Sequence, residues 1–370
     1  MAGAEQRNQS SPRLSWGCDW LMTKPTVAIN GFGRMGRLAL RQFLEQDSQA
    51  QDYKVVLIND AAGDVQTAAH LLQFDSVHGR LDQLELPEIG IDPKTSGLLI
   101  AGRSIRYSSN LAIEDSDWQG VDIVLDCTGA FRTSKALEPY FASGVKKVLV
   151  SAPVKDGPLN VVYGVNHERY DADKNHIVTA ASCTTNCIAP VIGVLRENFG
   201  IRRGAFTTIH ALTNTQRVLD GFHKDLRRAR SSATSLIPTS TGSASAIFEI
   251  FPELRGRLDG LAVRVPLAQA SIADCTFELA NQVSADEVNQ AFVDAEAGAR
   301  AGVLGVEPRP LVSIDYEGER RSAVIDASAT AVIDGSLLKL LAWYDNETGY
   351  VARMMQLLSL VAQKMVTQKL

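Results

Sequence analysis

Two stretches of this chain hold residues whose types and spacing could do chemistry. The first is Ser182-Cys183-Thr184-Thr185-Asn186-Cys187, between strand-like residues 177–181 and an apolar helical stretch, 188–195, that Pro190 is expected to break. A cysteine at a helix N-terminus feels the partial positive charge of unpaired amides, which favours thiolate over thiol and makes the sulfur nucleophilic near neutral pH. The same amides could hold the oxyanion formed when an aldehyde is attacked. Cys187 follows one helical turn later, which raises a metal or redox pair. No second cysteine pair and no His-x-x-x-His spacing accompanies it, so no metal is expected. A buried, inert cysteine is the plain alternative, and the hexapeptide alone leaves it open. A thiol nucleophile needs a base, and His70, His78, His167, His176, His210 and His223 are available. Spacing does not choose among them; His210 could reach the sulfur if its strand passes the helix start.

The second stretch is Gly31-Phe32-Gly33-Arg34-Met35-Gly36. It follows the short apolar run Thr26-Val27-Ala28-Ile29-Asn30 and opens a helical pattern through Leu38, Leu40 and Leu44. Gly31, Gly33 and Gly36 let a backbone turn tightly and approach a pyrophosphate, whose charge the helix end meets. A second strand, 53–58, ends at Asn59-Asp60, placing a carboxylate 24 residues after Gly36, where it can accept ribose hydroxyls. Residues 65–72 look helical. Strands at 121–125 and 147–150 lead into Cys127-Thr128-Gly129 and Ser151, small or polar residues of the kind that line the ligand crevice of a doubly wound sheet.

After about residue 182 the alternation of strand and helix gives way to longer strand-like runs, 204–211, 260–267, 271–279 and 322–333. Ser284-Ala285-Asp286-Glu287 has the spacing of a capping box, and 351–361 reads as a closing helix. The fold class expected is α/β: a doubly wound, mostly parallel Rossmann-type sheet, plus an α+β catalytic domain with a mixed or antiparallel sheet.

Composition bounds the rest. A length of 370 residues exceeds one average domain, and 45% hydrophobic with 21% charged residues suits globular domains. A net charge of -5 argues against nucleic-acid binding, which needs clustered cations. Five cysteines at irregular spacing imply a reducing compartment, and no apolar run approaches the ~20 residues of a membrane span, so a cytoplasmic protein without membrane insertion is expected. Met22-Thr23-Lys24 directly precedes the first strand, which marks residues 1–21 as an upstream extension.

Ala181-Ser182-Cys183-Thr184-Thr185-Asn186-Cys187 closely resembles the active-site signature of the phosphorylating glyceraldehyde-3-phosphate dehydrogenase family. The likeness runs from residue 26 to the C-terminus, through Ile29 to Arg34, Asp75-Ser76-Val77-His78-Gly79, Ser151-Ala152-Pro153, Pro238 to Gly242, Arg264-Val265-Pro266 and Trp343-Tyr344-Asp345-Asn346-Glu347. The resemblance implies that Cys183 attacks the aldehyde, hydride passes to a nicotinamide, and phosphate releases the acyl group, with His210 as acid and base. It assigns Ser182, Thr184, Thr241 and Gly242 to inorganic phosphate, and Thr213 and Arg264 to the substrate's phosphate. Arg34, Met35, Asp60, Ser151 and Asn346 match cofactor positions, beside Gly31, Gly33, Gly36, Thr128 and Gly129. It also implies a homotetramer, and a division into a disordered extension (1–24), a dinucleotide-binding domain (25–182), a catalytic domain (183–346) and a C-terminal helix (347–370) returning to the first domain.

The chain departs from the family pattern at Ser108-Ser109-Asn110-Leu111, where many members carry an acidic-Arg-Asp-Pro segment on the adenine side, and at Ala61 and Phe222. Asp60 should repel a 2′-phosphate, so NAD is favoured while NADP stays open. The run Lys224 to Arg230 reads as a solvated basic face, or by resemblance as a loop between subunits near the cofactor. Residues 74–80, 223–230, 249–254 and 264–278 look like the branch associated with arsenate detoxification, in which arsenate yields 1-arseno-3-phosphoglycerate for export by an efflux transporter. An erythrose-4-phosphate dehydrogenase and a non-catalytic nucleotide-binding protein are the competing readings.

Overall fold

Thr26–Asn30 is apolar on both faces, and in the structure it is the centre of a nine-stranded sheet, paired in parallel with Lys54–Asn59 on one side and Ile123–Asp126 on the other. The computed structural model describes residues 24–46, 50–84, 89–100, 102–154 and 156–367. The expected N-terminal extension lies outside these residues apart from Lys24. Lys147–Val150, Ile177–Thr179 and Leu159–Asn160 continue the sheet in parallel, and Arg103–Ser108 extends it in parallel on the other flank. Beyond that strand the edge turns antiparallel through Leu98–Ile100 and Ile89–Ile91. Helices α1 (Arg34–Leu44), α2 (Val65–Gln73) and α3 (Ser134–Ala142) connect its strands. This is the doubly wound, mostly parallel sheet expected, whose carboxyl ends form a ligand crevice.

The second sheet has eight strands and is mixed. Ile201–His210 runs parallel to Leu258–Arg264 and antiparallel to Ser271–Leu279. Alternate residues of Ser271–Leu279 are buried. That inward face packs with α4 (Cys183–Asn198), α5 (Ser243–Ile250) and α6 (Ala285–Ala297) into a second core that includes Ile188, Ile192, Phe277 and Phe292. The capping box is formed: the Ser284 hydroxyl accepts from Glu287 N–H and the Glu287 carboxylate accepts from Ser284 N–H.

Helix α7 (Thr348–Thr367) joins the first core, burying Met354, Leu357, Leu358 and Val361 there with Leu38, Leu40 and Phe43 of α1. Burial of each large side chain contributes about 1.5–3 kcal/mol, so the docking of α7 is strongly favoured.

Three expectations are corrected. Pro190 does not break the helix: α4 runs continuously through it. Proline removes one backbone donor, and here the residues from Thr184 to Leu195 are all buried, so packing outweighs that loss. The run 322–333 is not one strand but Ala323–Asp326 and Ala331–Ile333, separated by a 3-10 turn in which the Asp326 carboxylate accepts from the Ser328 hydroxyl. The closing helix is longer than 351–361, because the Asp345 carboxylate accepts from the amides of Glu347 and Thr348 and so starts it earlier.

Candidate active site

Cys183 is set by a strained turn. The buried Ala181 has φ of +54°, a left-handed conformation uncommon for residues other than glycine. The Asn186 side chain secures it from both sides, donating to the carbonyls of Ala180 and Ser182. Ser182 then caps α4, its hydroxyl accepting from Thr185 N–H at 3.1 Å, and Cys183 is the first helical residue. Cys183 is half-buried and packs against both hydrophobic cores, so its sulfur sits on the boundary between the two sheets.

His210 ends the strand Ile201–His210, and its Nε2 lies 3.3 Å from the Cys183 sulfur. Register pairs His210 with Arg264 on the neighbouring parallel strand, which brings the guanidinium against His210 Nδ1. His210 Nδ1 is also 2.7 Å from the Ala211 carbonyl, and Arg264 Nη1 donates to that carbonyl at 3.2 Å. With Nδ1–H given to Ala211, Nε2 offers a lone pair to the thiol; with Nδ1 accepting from Arg264, Nε2 offers a proton. Either tautomer of the ring is therefore accommodated. Burial, assisted by the Arg264 charge, lowers the His210 pKa to about 3 and keeps the imidazole neutral. Burial pushes the Cys183 thiol up, against downward pulls from Arg264 and from Thr184. The expected thiolate is thus not supplied by the helix end alone, and His210 Nε2 is the group placed within reach of the thiol proton.

Hydroxyls gather where two helix ends meet. Ser182 Oγ lies 2.7 Å from Thr185 Oγ1 and 3.2 Å from Ser243 Oγ, and Thr241 donates to Ser243 at 3.0 Å. Ser243 opens α5, whose N-cap Gly242 contributes no side chain, so amides and hydroxyls together face one spot suited to an oxyanion. Thr184 is not part of this cluster: its hydroxyl faces the buried Tyr344 hydroxyl at 3.1 Å and the Cys183 sulfur. Thr213 is held in its loop by Gln216 and Thr215. Within the basic run, Arg228 departs from a solvated face, since its side chain is only 23% exposed and it donates to Thr239 Oγ1 at 2.7 Å, close enough to Arg264 to repel it.

At the carboxyl ends of the first sheet, register aligns Asn30 with Asn59 and Asp126, which places the Gly31–Gly33 turn, Asp60, Thr128, Gly129 and Ser151 along one crevice. Gly31 has φ of +91°, and a Cβ there would come 2.6 Å from the Cys127 backbone. At Gly36 a Cβ would meet the Gly31 carbonyl at 2.1 Å, whereas at Gly33 it would meet nothing within 4 Å. The turn is tightly packed behind and open in front. Helix α1 has no side-chain cap and its first backbone bond runs from Arg37 N–H to Gly33, so the amides of Arg34, Met35 and Gly36 have no acceptor within the helix. Arg34 pairs with Glu347 at 2.6 Å while its Nη2 is buried without a partner. Free amides, a cationic group and an open glycine fit an anionic pyrophosphate. The Asp60 carboxylate accepts from the amides of Phe32 and Ala62 at the lip of the turn. Asn346, from the second sheet's side, is buried and accepts from the Ser271 hydroxyl at 3.1 Å.

Residues 25–134 match the family model described as the glyceraldehyde 3-phosphate dehydrogenase NAD binding domain, and 182–346 match its C-terminal domain. The glyceraldehyde-3-phosphate dehydrogenase 3 of Nostoc sp. is 51% identical over 342 residues, covering 92% of this chain and 98% of its own. The Geobacillus stearothermophilus protein named glyceraldehyde-3-phosphate dehydrogenase is 45% identical over 340 residues, 91% and 98% of the two chains. The chain belongs to the glyceraldehyde-3-phosphate dehydrogenase family. It is an NAD-dependent oxidoreductase, with an NAD-binding Rossmann domain and the family's catalytic domain.

Several residues of this dehydrogenase site carry no role in the sequence reading. Tyr344 stands edge-on to His210 and contacts Thr184 and Thr208, yet in sequence it is only a member of the run Trp343 to Glu347, with no role attached. Ser243 follows Thr241-Gly242 immediately, and its position at a helix start was the signal available. Among the described residues, no group of His, Cys, Asp and Glu could hold a metal, and no helix is long and apolar enough to cross a membrane.

Proposed function

We propose that the protein is a phosphorylating glyceraldehyde-3-phosphate dehydrogenase that works through Cys183 and His210. The observation that carries this is the 3.3 Å approach of a neutral imidazole to a thiol at the boundary of the two cores. The Cys183 proton passes to His210 Nε2 as the sulfur forms a bond to the aldehyde carbon, giving a thiohemiacetal. NAD, when bound, supplies the hydride acceptor that takes the product to a thioester. Inorganic phosphate then attacks the acyl carbon, the C–S bond breaks, and an acyl phosphate leaves with the thiol restored. Ser182, Thr241 and Gly242, with Thr184 beside the sulfur, serve the attacking phosphate; Thr213 and Arg264 serve the substrate's phosphate. Gly31, Gly33, Arg34, Met35, Gly36, Asp60, Thr128, Gly129, Ser151 and Asn346 hold the cofactor, with NADP as a weaker alternative. The domain division is 25–182, 183–346 and a returning helix after 347.

A homotetramer is part of this reading. Its support is the exposed apolar set Val218, Leu219, Phe222 and Leu226 in one loop, with Ile209 and Leu261 on the open face of the second sheet. Among the described residues the four cysteines form no disulfide, which suits a cytoplasmic setting.

Reduction of NAD by glyceraldehyde 3-phosphate, with and without phosphate, tests the reading. Strong dependence on both supports it; a faster reaction with erythrose 4-phosphate would favour that aldehyde instead, and no turnover would leave a nucleotide-binding protein. We further propose the arsenate-detoxifying subtype, supported by residues 74–80, 223–230, 249–254 and 264–278, which resemble that branch. Arsenate shares phosphate's shape and charge, so turnover in a tube cannot discriminate. Loss of arsenate resistance on deleting the gene supports this subtype and its functional link to an efflux transporter; unchanged resistance leaves a glycolytic or biosynthetic enzyme.

A further inference from the structure

We infer that Ser271 is a positioning residue: its one hydroxyl fixes the carboxamide of Asn346 toward the cofactor while holding the strand end that carries His210. Ser271 begins the strand Ser271–Leu279 and is buried, directly after the buried Ala270, whose φ of +61° is strained for a residue with a side chain. Its oxygen accepts from the amide of Ala211 at 3.1 Å, and the Ala211 carbonyl is the group that orients His210 Nδ1. The hydroxyl proton is then directed to Asn346 Oδ1 at 3.1 Å.

That order of bonds decides which end of Asn346 faces the crevice. Were the amide reversed, its NH2 would donate to Ser271, and the Ser271 proton would have no other bonded acceptor among the described residues. The oxygen therefore points to Ser271, and the Asn346 NH2, which donates to nothing among the described residues, is the end left for a ligand. An NH2 donor suits a carboxamide oxygen, as on the nicotinamide end of NAD.

The neighbours leave this carboxamide as the adjustable part. Asp345 is held by Gln269 and by Gly318 N–H on the side of the second sheet, and Glu347 is held by Arg34 and His78 on the side of the first. Backbone movement at Asn346 is thereby restrained from both directions, and the side chain's last rotation is set by Ser271 alone. The inference rests on the proposed cofactor role of Asn346.

Binding separates the two. Dissociation constants for NAD and for ADP-ribose, which lacks the nicotinamide, are measured by calorimetry on the wild type, Ser271→Ala, Asn346→Ala and the double variant. The expected result is that Ser271→Ala weakens NAD by about tenfold, the size of one hydrogen bond, and leaves ADP-ribose unchanged. The double variant should bind NAD no more weakly than Asn346→Ala. Unaltered ADP-ribose affinity also reports that the variants are folded. Wild-type NAD affinity in Ser271→Ala, or equal weakening of both ligands, would overturn the inference. Wild-type affinity in Asn346→Ala would overturn the cofactor role of Asn346 and the inference with it.

Discussion

Cys183 and His210 belong to different elements of the second core and meet at 3.3 Å: the first opens α4, and the second closes the strand Ile201–His210 of the sheet that α4 packs against. Neither element positions the pair by itself. Packing of α4 against the second sheet fixes the distance, so the pair is set within the second core.

Neutral burial of His210 has a consequence for acid stability. Its pKa is lowered to about 3 in the folded protein, below the ordinary histidine value near 6.5, so the unfolded chain binds the extra proton first as pH falls. His210 therefore contributes stability above about pH 6.5 that is lost progressively towards about pH 3. Chemical denaturation of the wild type and His210→Asn across this range should show the wild type losing more stability; parallel curves would contradict the assignment.

Arg264 is expected to govern the sulfur as well as a substrate phosphate. Its charge pulls the Cys183 thiol down against burial, so Arg264→Leu should move the pH midpoint of Cys183 alkylation by iodoacetamide upward. Rate against pH, without cofactor, reads this directly. A midpoint that stays in place would mean the guanidinium is not felt at the sulfur.

The alignment of function with sequence was uneven, for physical reasons. The turn Gly31 to Gly36 is legible because glycine geometry, strand and helix start all point to one structure; the helix start at Cys183 is legible from its cap, whereas a nucleophilic role for it and the choice of His210 rest on the family resemblance. The strand Leu337–Tyr344 is not legible, although it is hydrogen-bonded to three other strands of the second sheet. Leucines lie on both of its faces, with Trp343 on the outward one, so the alternation that marks a half-buried strand is masked in the sequence. Tyr344 and its contact with Thr184 were lost with it. Arg228 was hidden for a different reason, because a run of charges does not disclose which member turns inward.

At Asp60, removing the charge should act on cofactor choice. Asp60→Asn is expected to weaken NAD by roughly tenfold or more, as one charge-assisted hydrogen bond would, and to narrow the preference over NADP. Paired KM values for the two cofactors measure it; an unchanged ratio would remove Asp60 from the ribose.

Gly36→Ala puts a methyl group 2.1 Å from the Gly31 carbonyl, where backbone rather than a flexible side chain must yield. A loss of about 1–3 kcal/mol is expected, together with loss of NAD binding. Thermal unfolding and NAD titration on the same sample check both, and full retention of either would show that helix and turn are less tightly joined than drawn.

The central claim is that the acyl group is carried on Cys183. Enzyme mixed with NAD and glyceraldehyde 3-phosphate without phosphate, quenched in acid and digested, should show by mass spectrometry a phosphoglyceroyl adduct on the peptide containing Cys183 that disappears when phosphate is added before the quench. An adduct on Cys127, Cys187 or Cys275 instead, or none while NADH accumulates, would contradict it.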